Sequence, residues 1–212
     1  MKERPILFSA PMVRALLAGT KTQTRRAVAL PRSRDSFVLE DRGAGWWPYQ
    51  SDDGESPLCD DGMEHPYTCP YGRPGDRLWV RESHWWFKDE CDHETGYYPP
   101  PLTADDVEYR ADGESKRHGW RPSIHMPRWA SRIVLDVKAV RVERLQDISD
   151  DDLAAEGIQE LIDGGVDHDG TPRDTYRALW EQLNGNGSWA ANPWVWVVEF
   201  ERAQAQQKGP AS

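Results

Sequence analysis

Apolar and polar residues alternate most regularly over residues 131–145, in the stretch SRIVLDVKAVRVERL. The apolar set that begins at Ile133 occupies odd positions, whereas the set that begins at Val140 occupies even positions. Because side chains alternate between the two faces of a strand, a change of parity requires an extra residue in the ladder. The stretch therefore predicts one long strand with a β-bulge near Ala139, of the kind that small barrels use.

Shorter strand-like segments lie on both sides of this one. Residues 6–8 form a brief apolar run, and residues 75–82 follow a Pro-Gly turn. We also predict a short strand at 107–110 and a final strand at 192–200, NPWVWVVEF. One face of the final strand holds Trp194, Trp196, Val198 and Phe200.

Three helices are predicted from apolar residues three or four positions apart and from capping residues at the ends. The first follows Ser9, carries Pro11 in its first turn and ends at Gly19. The second covers 149–157 and the third covers 171–185, and each begins with Ser or Thr followed three positions later by Asp. The predicted buried face of the third helix consists of Tyr176, Leu179, Trp180 and Leu183.

Few helices and several strands in unlike order predict an α+β fold, a small mixed β-barrel with peripheral helices. Two long segments, at about 31–75 and 88–127, have no sustained period and are interpreted as insertions. The chain is thus predicted to form a single domain over residues 1–202. The tail, residues 203–212, is predicted to be disordered.

The chain is acidic overall, but its charge is unevenly distributed. Its 26 Lys and Arg against 36 Asp and Glu give a formal net charge of −10, which argues against a protein that coats nucleic acid. Residues 1–34 nonetheless carry a net charge of +7 and residues 116–144 carry +6, separated by −8 over residues 35–66. We expect the two basic segments to line a local cleft that attracts anions.

The three cysteines do not make an even disulfide set, and no N-terminal apolar segment or long apolar run is present. This combination predicts a cytoplasmic protein without membrane contact. A zinc site built from cysteine and histidine is the weaker interpretation, because the C-x-x-C spacing is missing. We expect loop cysteines and neither metal nor other cofactor. The residues concerned are Cys59, His65, Cys69, Cys91 and His93.

The densest chemistry lies in KTQTRR, residues 21–26, directly after the first predicted helix. The pattern predicts a loop here, and loops on rigid elements are where functional groups collect. A solvated surface turn is the alternative interpretation of such a charged run.

Several motifs resemble the ASCH domain family, a branch of the PUA-like β-barrels. The opening strand and helix followed by GTKTQTRR match the family's N-terminal motif. PGDRLWVRE resembles its G-D-x-L/V-x-V strand, and WVWVVEF resembles its closing strand. The similarity spans residues 6–202 apart from the insertions, and the longer pattern with SIHMPRWASRI is similar to proteins carried by phages and prophages.

The resemblance implies a candidate activity, because a short bacterial member of the family removes the acetyl group from N(4)-acetylcytidine. Lys21 and Thr24 fall on its catalytic lysine and threonine, and Glu156 falls on its catalytic glutamate. A neighbouring acidic residue is the alternative to Glu156. The short enzyme lacks the two insertions, so its substrate does not transfer directly. We predict substrate contacts from Thr22, Arg25, Arg26, Arg81, Glu82, Arg128 and Trp129.

Amide hydrolysis requires a nucleophile, a base and donors for the developing oxyanion. Thr24 is the predicted nucleophile and Lys21 the base, so the pKa of Lys21 must fall below about 10.4 through burial and through Arg25 and Arg26. Glu156, at a helix C-terminus, is predicted to carry a proton to the leaving amine. In the alternative mechanism, Lys21 and Glu156 activate water and Thr24 orients it.

Two functions without catalysis are also open. A module that binds RNA or modified nucleic acid would use the same cleft, with the basic segment 116–132 and its Trp120 and Trp129 as one contact. The pairs Trp46–Trp47 and Trp85–Trp86 either stack on bases or cover the barrel. A phage accessory protein would act through protein partners, with the acidic insertions as its docking surface.

Overall fold

The computed structural model describes residues 1–28, 36–41, 46–51, 56–59, 62–86, 102–113, 119–163 and 170–203. Within these ranges the chain forms nine strands and four α-helices. The strands are β1 (Glu3–Leu7), β2 (Gln23–Ala27), β3 (Ser36–Asp41), β4 (Trp46–Ser51), β5 (Arg77–Arg81), β6 (His84–Trp86), β7 (Val107–Tyr109), β8 (Val134–Arg144) and β9 (Trp194–Arg202). The helices are α1 (Ala10–Ala18), α2 (Asp150–Ala155), α3 (Ile158–Asp163) and α4 (Pro172–Asn184).

Seven strands form one mixed sheet around β8. Along one edge β8 pairs antiparallel with β9, and along the other edge it pairs with β5 and then with β4. β1 adds to β5 in parallel, β2 adds to β9, and β3 adds to β4. β6 and β7 form a separate two-stranded sheet. The predicted α+β class, with a mixed sheet and few helices, is confirmed.

The sheet is open between β1 and β2. They are the two ends of the strand series β1–β5–β8–β9–β2, and within the described residues they do not pair, so backbone hydrogen bonds do not close a barrel. A side chain spans the opening instead, since Arg26 Nη2 donates to the Leu7 carbonyl oxygen at 2.8 Å. Residues of both strands line a cavity at this opening.

β8 carries the predicted bulge. Its register with β9 shifts between Val137 and Ala139, so Lys138 is the extra residue. Ile133 and Val142 have opposite parity, yet both are buried in the same apolar core. The bulge therefore reconciles the two apolar sets that the sequence places on different faces.

The two faces of β9 are buried in two different cores. Trp196, Val198 and Phe200 pack with α1 and the first half of β8. Val195 and Val197 pack with α2, α3 and α4. The predicted apolar face of this strand is confirmed, and the opposite face supports the helical layer.

The first helix ends as predicted at Gly19, whose φ of 81° provides the left-handed C-cap. The predicted loop over residues 21–26 is wrong from Gln23 onward, because β2 begins there and pairs with β9. Polar side chains of this strand, such as Gln23 and Arg25, are buried, and hydrogen bonds and ion pairs satisfy them. The sequence of β2 therefore lacks the alternation of apolar and polar residues by which a strand is predicted.

The predicted helices at 149–157 and 171–185 are confirmed as α2 and α4, and each begins with a capping box. The sequence does not predict α3. The prediction that Leu183 is buried is wrong, since it is 58% exposed. The last turn of α4 extends past the helical core, and Leu183 forms part of the cavity wall.

The first predicted insertion contains regular structure that the sequence does not predict. Its β3 and β4 form an antiparallel hairpin, which joins β8 through the pair Trp46 and Val142. In the second predicted insertion, the strand predicted at 107–110 is β7, paired with β6. The predicted disordered tail lies, apart from Ala203, outside the described residues.

Candidate active site

Gly157 allows two distant segments of the chain to meet. It follows α2 with a φ of 76°, and a Cβ at this position would lie 2.9 Å from Ala15 Cβ and 3.1 Å from Lys21 Cβ. A larger residue would force the segments apart. The backbone N–H of Thr22 also donates to the Ala155 carbonyl oxygen at 2.8 Å. The end of α2 is thereby held against the residues that follow α1.

Lys21 and Glu156 form a buried ion pair at this junction. The two residues are 3% and 4% exposed, and Lys21 Nζ lies 2.6 Å from Glu156 Oε2. Nζ also donates to the backbone carbonyl oxygens of Glu156 and Gln23, each at 2.8 Å. Because an ammonium group has three donors, all of them are used and the amine is fixed in position.

The environment of Lys21 favours its neutral amine. Burial lowers the pKa of Lys21 from its ordinary value, the ion pair with Glu156 opposes this effect, and the charges of Arg26 and Arg25 lower the pKa further. This is the direction that a lysine acting as a base requires.

The Glu156 carboxylate has partners on more than one side. Its Oε1 accepts a hydrogen bond from the backbone N–H of Arg25 at 2.6 Å. The buried phenol of Tyr176, on α4, lies close enough that Glu156 helps to raise the pKa of Tyr176, although burial is the larger cause. The sequence predicts Tyr176 only as part of the apolar face of its helix, and no local pattern indicates that its hydroxyl lies near Glu156.

The guanidinium of Arg25 is matched by acidic side chains. Its Nη2 lies 2.9 Å from Asp152 Oδ2 and 3.0 Å from Glu143 Oε2. Arg141 joins the same cluster through Asp152 and Glu143. Burial alone would raise the pKa of Asp152, but hydrogen bonds from Gln23 and Ser149 and the charge of Arg25 together lower that pKa.

Arg26 has different surroundings. Its Nη2 donates to the Leu7 carbonyl oxygen at 2.8 Å, and its Nη1 lies 3.4 Å from the Arg25 carbonyl oxygen. The guanidinium stands over the Phe8 ring, 5.2 Å from the ring centroid. In the described part of the chain, Arg26 forms no ion pair with a carboxylate.

A cavity of about 460 Å³ adjoins these groups. It is bounded by the end of β1 and the start of α1, by β2, and by one face of α4. Glu156, Arg25 and Arg26 belong to its wall, whereas Lys21 and Thr24 do not. The full lining is Leu7, Phe8, Ser9, Met12, Arg25, Arg26, Ala27, Ser83, Ser123, Glu156, Tyr176, Leu179, Trp180, Leu183 and Asn184.

Thr24 is fully buried, and it shares its face of β2 with Arg26. It pairs with Val198, which belongs to the first apolar core. Its hydroxyl has no hydrogen-bond partner within the described residues. Thr22, in contrast, has an exposed side chain before the strand begins. The structure thus joins Lys21 to Glu156, while the catalytic role of Thr24 stays a prediction.

The four other predicted substrate contacts lie outside the cavity wall. Glu82 is 1% exposed, and its Oε1 accepts from Arg132 Nε at 2.9 Å. Arg81 stands over the Trp79 ring, and Arg128 Nε pairs with Glu3 Oε2 at 3.0 Å. Trp129 is 41% exposed and packs edge-on against Trp86. Their role in binding stays a prediction.

The tryptophan pairs have structural contacts where they are described. Trp47 packs edge-on against Trp196, and its Nε1 donates to the Tyr67 carbonyl oxygen at 3.0 Å. Trp86 stacks on His84. These contacts match the interpretation in which the tryptophans cover the sheet. The Trp46 side chain and Trp120's basic neighbours at 116–118 lie outside the described residues.

Cys59 is half-buried and its Sγ lies 3.7 Å from the Gln50 carbonyl oxygen, and Cys69 is a buried free thiol. Burial raises the pKa of Cys69 to about 11. Cys91 and His93 lie outside the described residues. Across the described ranges, no group of three or more His, Cys, Asp or Glu side chains is arranged to hold a metal ion.

No helix among the described residues is long and apolar enough to cross a membrane. Comparisons with protein-family models, with curated proteins and with solved structures find no match to this chain.

Proposed function

We propose that this chain is an ASCH-type amidohydrolase with a PUA-like fold, which removes the acyl group from N(4)-acylated cytidine. The observation that carries the proposal is the buried Lys21–Glu156 pair beside a cavity whose wall includes Glu156. The two residues are 135 positions apart, and they are the lysine and glutamate that the family resemblance selects. The mixed sheet, open between β1 and β2, is compatible with a PUA-like architecture.

The chemistry follows from the two groups that meet. The Glu156 carboxylate takes a proton from a water molecule as the water oxygen bonds to the amide carbonyl carbon. The carbonyl π electrons move to oxygen, and Arg25, whose backbone N–H binds Glu156 and whose side chain belongs to the wall, is the cation assigned to that oxyanion. When the C–N bond breaks, the proton passes to the exocyclic nitrogen, and a carboxylic acid and the free amine leave.

Lys21 controls the proton that Glu156 carries. Its Nζ contacts the Glu156 carboxylate directly, and burial lowers the pKa of Lys21, which is the direction that proton transfer from the amine requires. An arginine in this place would hold Glu156 permanently as a carboxylate, because a guanidinium does not lose its proton in proteins. Lysine is therefore the cation that suits proton transfer.

The position of Thr24 supports the mechanism in which water is the nucleophile. Glu156 belongs to the cavity wall, whereas Thr24 is fully buried and is absent from that wall. In the mechanism with water as the nucleophile, Thr24 has a positioning role, because its packing helps to hold β2 in place.

The test is release of the acyl group from N(4)-acetylcytidine by the purified full chain, followed by the change in ultraviolet absorption. Glu156→Gln preserves the shape of the side chain and is expected to lower kcat/KM by about 10²- to 10⁴-fold. The matched control, Glu201→Gln, makes the same change at an exposed residue paired with Lys138 and should leave kcat/KM unchanged.

A folded Glu156→Gln variant with full turnover would overturn the proposal. A wild-type chain that binds cytidine-containing RNA without releasing acyl groups would instead support the module without catalysis. For that module, the affinity for RNA falls as salt is added.

A further inference from the structure

The cavity wall contains one cation whose charge is not matched by an acid. Three charged residues of the described chain line the cavity: Arg25, Arg26 and Glu156. Arg25 is neutralised by Asp152 and Glu143, and Glu156 by Lys21. Arg26 makes hydrogen bonds only to carbonyl oxygens, so the wall keeps a positive charge at this point.

The guanidinium of Arg26 is held in a fixed orientation with donors to spare. Two of its nitrogens contact the carbonyl oxygens of Leu7 and Arg25, and Phe8 supports its face. A guanidinium has five N–H donors, so several stay unused by these contacts. A planar donor group that is positioned in advance suits the bidentate recognition of phosphate or carboxylate oxygens.

Three serine hydroxyls belong to the same wall as Arg26. Ser9 precedes α1 and its side chain makes no capping hydrogen bond, and Ser83 and Ser123 also line the cavity. Hydroxyl and guanidinium donors together suit a ligand rich in acceptor oxygens, and a phosphate monoester supplies three of them.

We infer that the ligand of this cavity is a nucleotide with a phosphate monoester, which Arg26 binds, rather than an uncharged nucleoside. The nucleobase part of this inference rests on the proposed function, while the phosphate part rests on Arg26. A cavity of about 460 Å³ falls within the range of about 300–1,000 Å³ that small-molecule sites occupy.

Binding distinguishes the nucleotide from the nucleoside without any turnover. Calorimetric titration of the full chain is expected to show that cytidine 5′-monophosphate binds about tenfold or more tightly than cytidine. Arg26→Gln should abolish this difference, and Arg26→Lys should retain part of it. The control Arg14→Gln removes one exposed positive charge from α1, outside the cavity wall, and should leave the difference intact.

Equal affinity of the wild-type chain for the two compounds overturns the inference. Since Arg26 also joins β2 to β1, thermal unfolding of each variant shows whether it folds. If Arg26→Gln does not fold, the wild-type comparison decides, together with Arg26→Lys.

A second arm separates this inference from the proposed function. Release of the acyl group is measured for N(4)-acetylcytidine and for its 5′-monophosphate, and kcat/KM should be higher for the monophosphate. Tight binding of cytidine monophosphate through Arg26 without acyl release supports the inference and contradicts the proposed hydrolase. Equal hydrolysis of both compounds, unaffected by Arg26→Gln, supports the hydrolase and contradicts the inference.

Discussion

Glu156 and Glu82 are both almost fully buried, and each is paired with a cation from a distant part of the chain. Glu156 meets Lys21 at 2.6 Å, and Glu82 meets Arg132 at 2.9 Å. The first pair borders a cavity, whereas Glu82 and Arg132 are absent from that cavity's wall. A glutamate is thus buried in two places, once with a lysine and once with an arginine as its partner.

The difference between the cations separates a candidate site from a structural cluster. Burial lowers the pKa of Lys21, whereas the guanidinium of an arginine keeps its proton in proteins. Arg132 also binds Asp112, and its guanidinium stands over the Tyr109 ring, 3.9 Å from the centroid. Burial raises the pKa of Glu82, and Arg132 opposes that rise. A buried ion pair indicates chemistry only where a proton can move and a ligand can approach.

The largest effect is expected when Lys21, the partner of Glu156, is replaced by arginine, the kind of cation that pairs with Glu82. Lys21→Arg keeps a positive charge beside Glu156 but removes the group that exchanges a proton, so kcat/KM for acyl release should fall by about 100-fold or more. The larger side chain should cost about 1–3 kcal/mol of unfolding free energy. Turnover and urea unfolding check the two effects separately. Wild-type turnover in this variant would show that lysine is not needed for proton transfer.

Removing the positive charge of Arg132 should lower the stability of the fold without changing acyl release. Arg132→Met leaves the buried Glu82 carboxylate without its partner and should lower the free energy of unfolding by about 3 kcal/mol. Acyl release per folded molecule should not change. Arg77→Met is a matched control, because Arg77 and Asp136 form a partly exposed pair expected to contribute less than about 1 kcal/mol. Equal losses in the two variants would contradict the importance of burial.

The Lys21–Glu156 pair should also make the free energy of unfolding vary with pH in the alkaline range. The unfolded chain keeps the Lys21 proton up to a pKa near 10.5, whereas the folded chain loses it at lower pH. Between these values the unfolded state binds more protons, so the unfolding free energy contributed by Lys21 rises with pH. Lys21→Met should lack that rise at pH values just below 10.5 in urea unfolding. Parallel pH curves for the variant and the wild type would argue against a lowered lysine pKa.

The smallest effect is expected when Arg132, the partner of Glu82, is replaced by lysine, the kind of cation that pairs with Glu156. Arg132 donates to both oxygens of Glu82 and to both oxygens of Asp112. Arg132→Lys keeps the charge but loses this forked geometry, and should cost about 1 kcal/mol of unfolding free energy. Urea unfolding measures this loss, and acyl release should be unchanged. A loss as large as that of Arg132→Met would mean that geometry matters more than charge.

Local signals in the sequence predict local structure well in this chain. Gly19 ends α1, capping boxes start α2 and α4, and a parity change marks the bulge in β8. Each of these features depends on residues within a few positions. β2 escapes prediction because its polar side chains are satisfied by partners elsewhere in the chain, such as Asp152 and Glu143.

The candidate site depends on contacts that no local pattern contains. Only the family resemblance relates Lys21 to Glu156, and Gly157, whose lack of a side chain permits their approach, is predicted only as a helix end. The same limit applies to Glu82, predicted as a substrate contact. Its partner Arg132 is 50 positions away, so the sequence gives no indication of the pair.

The hairpin of β3 and β4 has a consequence for how copies of this chain meet one another. β5 covers only Val134, Leu135 and Asp136 along its edge of β8, and the hairpin covers that edge again at Val142. A bare strand edge is a template on which strands from other molecules assemble. Among the described strands β3 pairs with β4 alone, so the hairpin covers part of β8 and makes β3 the edge to which a strand of another molecule would add.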